Sequence, residues 1–262
     1  MKYKTEANTD KGIKKSINQD ALIIKQARTK RNGHICMACL CDGLGGLSSG
    51  EVASATFVDR MDKWFRLELP AVLEHENVTT QLDGDFSNKM DYWNHIKLQW
   101  NEMVQRTNNE LAEYGARKGI RLGTTVAAML MIEGMFMIMS VGDSRIYIIN
   151  HNQLEQISHD HSYVQKEIDA GRMTIEDAKN SDMKSVLLQC IGASRVVEPD
   201  FKFGRLTDGD VAFICSDGMW RKLSEQEIIE KVSTKNGLKQ LTEIVKKRGE
   251  TDNISGLTVS IK

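Results

Sequence analysis

Residues 35–41 (ICMACLC) form an unbroken apolar run that stops abruptly at Asp42-Gly43, the pattern of a short buried strand ended by a turn. Over 50–65 the period changes. Val52, Ala55, Phe57, Val58, Met61, Trp64 and Phe65 recur at helical spacing behind a Ser48-Ser49 start signal, which predicts an amphipathic helix. A longer helix is predicted over 87–118, with Tyr92, Ile96, Trp100, Met103, Val104 and Leu111 on one stripe. Stripes of this kind serve helix packing, so Met and Trp there read as core rather than cofactor contacts. After Gly123 the apolar runs 124–132 and 135–141 are joined by the two-residue turn Glu133-Gly134, as in a tight antiparallel hairpin. Residues 145–149 and 153–157 read as another strand pair. Strands are also predicted at 210–215 and 254–261, with helical patterns at 224–232 and 237–247 between them. Strands grouped apart from helices argue for an α+β layering, sheets in the middle and helices outside, over a parallel doubly wound fold. Pro70 and Pro199 are the two prolines, and no linker, repeat or low-complexity tract divides the chain, so residues 1–262 read as a single domain.

Charge and composition narrow the function classes. Lys and Arg number 35 against 36 Asp and Glu, a formal net charge of -1, so no basic excess points to nucleic acid or an anionic membrane. The longest apolar stretch, 126–139, is interrupted by Glu133-Gly134 and falls short of the roughly 18–20 residues of a membrane span. The N-terminus lacks the apolar core of a secretory signal, and the expected location is the cytoplasm. Five cysteines, an odd count with Cys36, Cys39 and Cys41 in one run, do not resemble a disulfide framework. Strand alternation sends Cys36 to the face opposite Cys39 and Cys41, which favours core packing over a metal knuckle.

The candidate chemistry lies in aspartates at the ends of apolar runs: Asp20 in NQD, Asp42 in CDGLGG, Asp143 in VGDSRIY, Asp217 in CSDGMW and Asp252 in TDNIS. One Asp before Gly is a common turn. Five at strand ends form a constellation that rigid backbone can aim into one cleft. Carboxylates without His or Cys partners suit Mg²⁺ or Mn²⁺ rather than zinc, and no histidine stands in a zinc-ligand spacing. Gly43, Gly45 and Gly46 permit close backbone approaches, so that a carbonyl can face a metal. A phosphate-cradling loop is the rival reading of DGLGG, which lacks the Lys-Ser/Thr of a P-loop.

The segments TDKGIKKSINQDA, CDGLGGLSSGEVAS, GTT, SVGDSRIY, ISHDHS, CSDGMW and TDNIS occur in the order found in the metal-dependent serine/threonine protein phosphatases, the PPM or type-2C class. The chain resembles this family over nearly its whole length, and 171–194 is similar to the mobile flap of its bacterial members. The resemblance implies a four-layer α-β-β-α sandwich, two central antiparallel sheets flanked by helices, with a binuclear Mn²⁺ or Mg²⁺ centre at one end. Carried over by residue, it implies that Asp42 bridges two ions, that Asp217 and Asp252 complete one, and that the Gly43 carbonyl completes the other, with Asp20 nearby through water. Asp143 and Asp217 match a third, weaker ion site, although GDSR also reads as a plain hairpin turn. A metal-activated water would hydrolyse phosphoserine or phosphothreonine without a covalent intermediate.

Departures from the family pattern matter as much. Lys15 stands where the family has a phosphate-gripping arginine, and a lysine offers a point charge in place of a planar fork. It is the candidate phosphate contact, with a solvated surface charge as the plain alternative. Leu44 stands where many eukaryotic members carry a histidine. His159 and His161 are expected to order a loop, and 171–187 to be a polar surface flap with two short helical patterns that tunes substrate choice. The expected partners are phosphorylated proteins, opposite a Ser/Thr kinase, with the chain a monomer touching neither nucleic acid nor membrane. The alternative is a regulatory pseudophosphatase of the same fold that binds phosphoproteins. A carboxylate-metal nuclease would need a basic track that the charge balance does not offer.

Overall fold

The computed structural model describes residues 2–44, 49–79 and 88–261, with side chains described outside 75–79 and 88–91. Gly45, Gly46, Ser48 and Ser87, used in the readings above, lie outside the described residues. Among the described residues ten strands form two five-stranded antiparallel sheets. One has the order β1 (Tyr3–Asp10), β10 (Ile254–Ile261), β9 (Val211–Cys215), β6 (Arg145–Asn150), β7 (Gln153–Gln156). The other has β2 (Ala21–Thr29), β3 (Gly33–Cys41), β4 (Val126–Ile132), β5 (Met135–Val141), β8 (Asp200–Arg205).

Strand alternation builds the layers. Along β3, Cys36, Ala38 and Leu40 face the core between the sheets, whereas Met37, Cys39 and Cys41 face the helices. In β4, Ala127, Met129 and Met131 point inward between the sheets, and Val126, Ala128, Leu130 and Ile132 outward. Both faces of these central strands are therefore apolar, which is why their sequences read as continuous runs instead of an alternation. The outer layer on β3 and β4 comes from α1 (Gly50–Leu67), α2 (Leu69–Thr79) and α3 (Asn88–Lys118), with Phe57, Met61, Trp64, Ile96 and Trp100 fully buried. Trp64 and Trp100 meet edge to face at 5.4 Å, and the Trp64 indole N–H donates to Gln99 Oε1 at 2.8 Å. The opposite outer layer is α6 (Asp217–Trp220), α7 (Glu225–Val232) and α8 (Gly237–Lys247), where Ile228, Leu238, Leu241 and Val245 pack on Phe213 and Cys215.

The expected four layers are thus present, and all five cysteines are buried and free. The Glu133-Gly134 turn has positive φ at both residues, as a tight hairpin needs. Six elements were not read from the sequence: β1, β2, β8, α2, α4 and α6. Between β7 and β8 lie α4 (Tyr163–Asp169), mostly half-buried, and α5 (Ile175–Asn180), mostly exposed. The 171–187 segment holds only the second of these, followed by a turn, in place of the two helical patterns expected there. Among the described residues no helix is long and apolar enough to cross a membrane.

Candidate active site

The strand topology collects the aspartates. Because β3, β4 and β5 are successive antiparallel neighbours, the C-terminal ends of β3 and β5 lie on one edge, which places Asp42 and Asp143 together. Asp20 immediately precedes β2, whose Ala21 pairs with Cys41, so it stands beside Asp42. In the other sheet Asp217 follows β9 and Asp252 precedes β10, and these ends coincide through the Cys215 and Gly256 pairing. The two ends face each other across the sandwich, since Asp217 and Asp252 act electrostatically on both Asp20 and Asp42.

Backbone and hydroxyl contacts hold the arrangement. The Asp42 amide donates to Thr125 Oγ1 at 3.0 Å, and its carbonyl accepts from the Thr125 amide and the Thr124 hydroxyl, each at 2.9 Å. Thr125 Oγ1 also meets Ser144 Oγ at 2.7 Å, tying the Asp42 and Asp143 segments together. The Gly43 amide donates to Gln19 O at 3.1 Å, and a Cβ on Gly43 would sit 2.4 Å from Gly50 O. Gly218 lets α6 approach the Asp252 loop, because a Cβ there would lie 2.1 Å from Asn253 O. The Asn253 side chain accepts from the Gln19 amide at 2.9 Å and donates to Lys11 O and Ile17 O at 2.9 and 3.1 Å. It thereby pins the loop that carries Lys15 and Asp20.

Burial and crowding leave these carboxyl groups short of favourable partners. Both Asp20 carboxylate oxygens and Asp217 Oδ1 are buried with no hydrogen-bond partner. Burial, with the charge of Asp217, pushes Asp20 up to about 7, the nearby Ser255 and Ser216 hydroxyls only partly offsetting this. Burial and Asp217 likewise push Asp143 up to about 7, against the pull of Arg221. Asp42 is driven well above the usual carboxylate range by burial and then by the charges of Asp20, Asp217, Asp143 and Asp252. Burial also raises Asp217, with Arg221 opposing. Among the described residues no three His, Cys, Asp or Glu side chains stand together at metal-ligand spacing. The short contacts come from the chain's own cations instead: Lys15 Nζ lies 2.9 Å from Asp252 Oδ1, and Arg221 reaches Asp217 Oδ2 at 2.8 Å and Asp143 Oδ2 at 3.0 Å. Orphaned, buried and mutually repelling carboxylate oxygens are a donor set that fits hard divalent cations.

All the predicted site residues gather at this end. Lys15 is held there as a hydrogen-bonded cation rather than a solvated charge. Although partial burial opposes it, the hydrogen bond and charge of Asp252, with Asp42 and Asp217 beyond, raise its pKa above the ordinary value. His159 pairs with Asp169 at 2.9 Å on the surface. His161 accepts from the Gly142 amide at 3.4 Å and meets Asp200 at 3.1 Å, so it props the turn before Asp143. Both histidines order loops, as expected. Sequence reasoning missed Arg221, although its place four residues after Asp217 is the spacing of a helical ion pair, and it gave Thr124 and Thr125 no role.

The chain is similar to known proteins in sequence and fold. The model of the protein phosphatase 2C family matches residues 10–183. The serine/threonine phosphatase stp of Listeria innocua is 28% identical over 261 residues, covering 97% of this chain and 94% of its own. The S. agalactiae serine/threonine phosphatase matches 100% of both chains at a TM-score of 0.80 and 26% identity. The catalytic domain of the serine threonine protein phosphatase PstP, solved in complex with 2 manganese ions, covers 98% of this chain and 97% of its own, at a TM-score of 0.70 and 25% identity. With the matched segment spanning Asp20, Asp42 and Asp143, and the two-sheet fold carried through to Asp252, the chain belongs to the protein phosphatase 2C family of protein serine/threonine phosphatases.

Proposed function

We propose that this protein hydrolyses phosphoserine and phosphothreonine in proteins with two Mn²⁺ or Mg²⁺ ions held by Asp20, Asp42, Gly43, Asp217 and Asp252. The observation that carries this reading is the set of buried, partnerless oxygens on Asp20 and Asp217 beside Asp42. When bound, the ions would supply an activated water and neutralise the phosphoryl oxygens. The chain's own part is to fix the carboxylates: Thr124 and Thr125 clamp Asp42, Glu250 Oε1 accepts from the Asp252 amide at 3.0 Å, and Asn253 holds the Asp20 loop. Such substrates call for a kinase of opposing action. Phosphate release from a phosphothreonine peptide should require added Mn²⁺ or Mg²⁺ and disappear with a chelator. Full activity in a chelated preparation would refute the reading.

Lys15 is the proposed phosphate contact. Its ammonium, presented 2.9 Å from Asp252, lies within reach of a phosphoryl group drawn to this end. Lys15→Ala is expected to raise KM by the worth of one charged hydrogen bond, about 1.5–3 kcal/mol, and Lys15→Arg to lower it, with turnover changing less. A shifted Mn²⁺ affinity at constant KM would show instead that Lys15 serves Asp252 alone.

A further inference from the structure

At Asp143 and Asp217, where the family resemblance implies a third and weaker ion, the structure has a side chain. We propose that the Arg221 guanidinium is the resident cation of this carboxylate pair, taking the place of a third ion and fastening the 171–187 segment to the metal end of the sandwich. The inference rests on the two-ion phosphatase reading above.

Several independent contacts set Arg221 in this position. Its Nη2 donates to Asp143 Oδ2 at 3.0 Å and its Nη1 lies 2.8 Å from Asp217 Oδ2, so the planar fork spans both acids. The guanidinium is only 20% exposed, and the carboxylates 7% and 13%, so water screens the contacts weakly. The neighbouring Trp220 fixes the helix that presents it. The Trp220 indole N–H donates to Asp143 O at 3.1 Å, and the Arg145 guanidinium lies over the ring at 3.4 Å. Arg145 is in turn held by both oxygens of Asp160 at 2.8–3.1 Å. Arg221 therefore sits on a braced support rather than on a free arm.

The remaining donors of the fork point to the flap. Nη1 donates to Ser185 Oγ at 3.2 Å, and Nη2 reaches Lys184 O at 3.4 Å. One side chain thus bonds both acids and the end of the 171–187 segment. A dication at the same acids would have to displace the guanidinium or sit against its charge, and displacement would release Ser185 and Lys184 together. The oxygen of Asp217 that Arg221 leaves free, Oδ1, is the partnerless one assigned above to the two-ion centre. Arg221 is on this account a positioning residue. It neutralises Asp143 without occupying the oxygen the main centre uses.

Counting Mn²⁺ ions bound to the full chain by equilibrium dialysis, with hydrogen exchange over 171–187 as a second readout, tests this. The wild type is expected to bind two ions, and Arg221→Gln three, with the third lost again on adding Asp143→Asn. Amide protection in 171–187 should fall about tenfold in Arg221→Gln, the worth of one charged hydrogen bond. Arg221→Met, of similar length and uncharged, should repeat the gain of an ion if the Gln variant does not fold. Arg221→Lys should keep the count at two while losing flap protection, because it retains the charge but not the fork. Three ions on the wild type, or two on the wild type and on both uncharged variants, would overturn the role of Arg221. No bound ion on the wild type would overturn the phosphatase reading itself.

Discussion

Asp42→Asn and Asp217→Asn are each expected to cut phosphate release by more than about a hundredfold at saturating Mn²⁺. Loss of a residue that merely orients a metal ligand already costs about 10- to 100-fold, and these substitutions remove a ligand charge itself while keeping the side-chain shape. The two should part company in stability. Asp42 is crowded by Asp20, Asp217, Asp143 and Asp252, with its carboxyl driven upward by burial and by those charges. Removing its charge relieves repulsion, so Asp42→Asn in chelator should melt at or above the wild-type temperature. Asp217 has the same neighbours but also holds Arg221 at 2.8 Å. Asp217→Asn leaves a buried guanidinium with one carboxylate fewer and should gain less or lose. Near wild-type turnover in either variant would remove that residue from the metal centre, and steady-state assays paired with thermal melts in chelator measure both effects.

The chelated protein should lose stability as pH rises from 5 to 8, opposite to the usual behaviour of paired carboxylates. In the unfolded chain an Asp ionises near pH 4. In the folded chain burial, with the charge of Asp217, pushes Asp20 up to about 7, and the same causes push Asp143 up to about 7. Between these limits the folded state binds more protons than the unfolded state, so the stability present below pH 4 is lost progressively toward pH 7. Of the displacement from 3.8 to about 7, the part above pH 5 corresponds to about 3 kcal/mol for one such group. For a chain of this size that is roughly 10 °C in melting temperature. The surface carboxylate Glu227, lowered to about 2 chiefly by its hydrogen bond with Arg248, contributes in the other direction only below about pH 4.5. Saturating Mn²⁺ should flatten the dependence, because cations favour the ionised carboxylates. Equal melting temperatures at pH 5 and 8 in chelator would show that the carboxylates are not crowded as described.

Sequence legibility followed burial. The strands read from the sequence include all the central ones, β3, β4, β5, β6, β9 and β10. Each is packed on both faces or sits in mid-sheet, so its apolar residues crowd into a run. The three missed strands, β1, β2 and β8, are all sheet edges. In β1 and β8 exposed positions admit the polar residues of YKTEANTD and DFKFGR, which hide the apolar signal of a strand. Helix α2 was missed for a related reason: its short apolar sequence, LPAVLEHENVT, carries Pro70 near its start and no clear stripe.

The sequence by itself determined the layering, the ordered motifs and the placing of five aspartates at strand ends, because each is a local property of chain pattern and turn chemistry. What only the tertiary structure decided is which residues meet across long separations. Register put Asp20 beside Asp42 and Asp217 beside Asp252, and the facing of two sheets made one charged end from both. No local pattern shows that Lys15 answers Asp252, or that Arg221, 78 residues from Asp143, closes the same pair of acids as a metal would. Electrostatic partnership depends on distances through space, and those follow from packing the two sheets and their helices together, a sum over the whole chain rather than a feature of any segment.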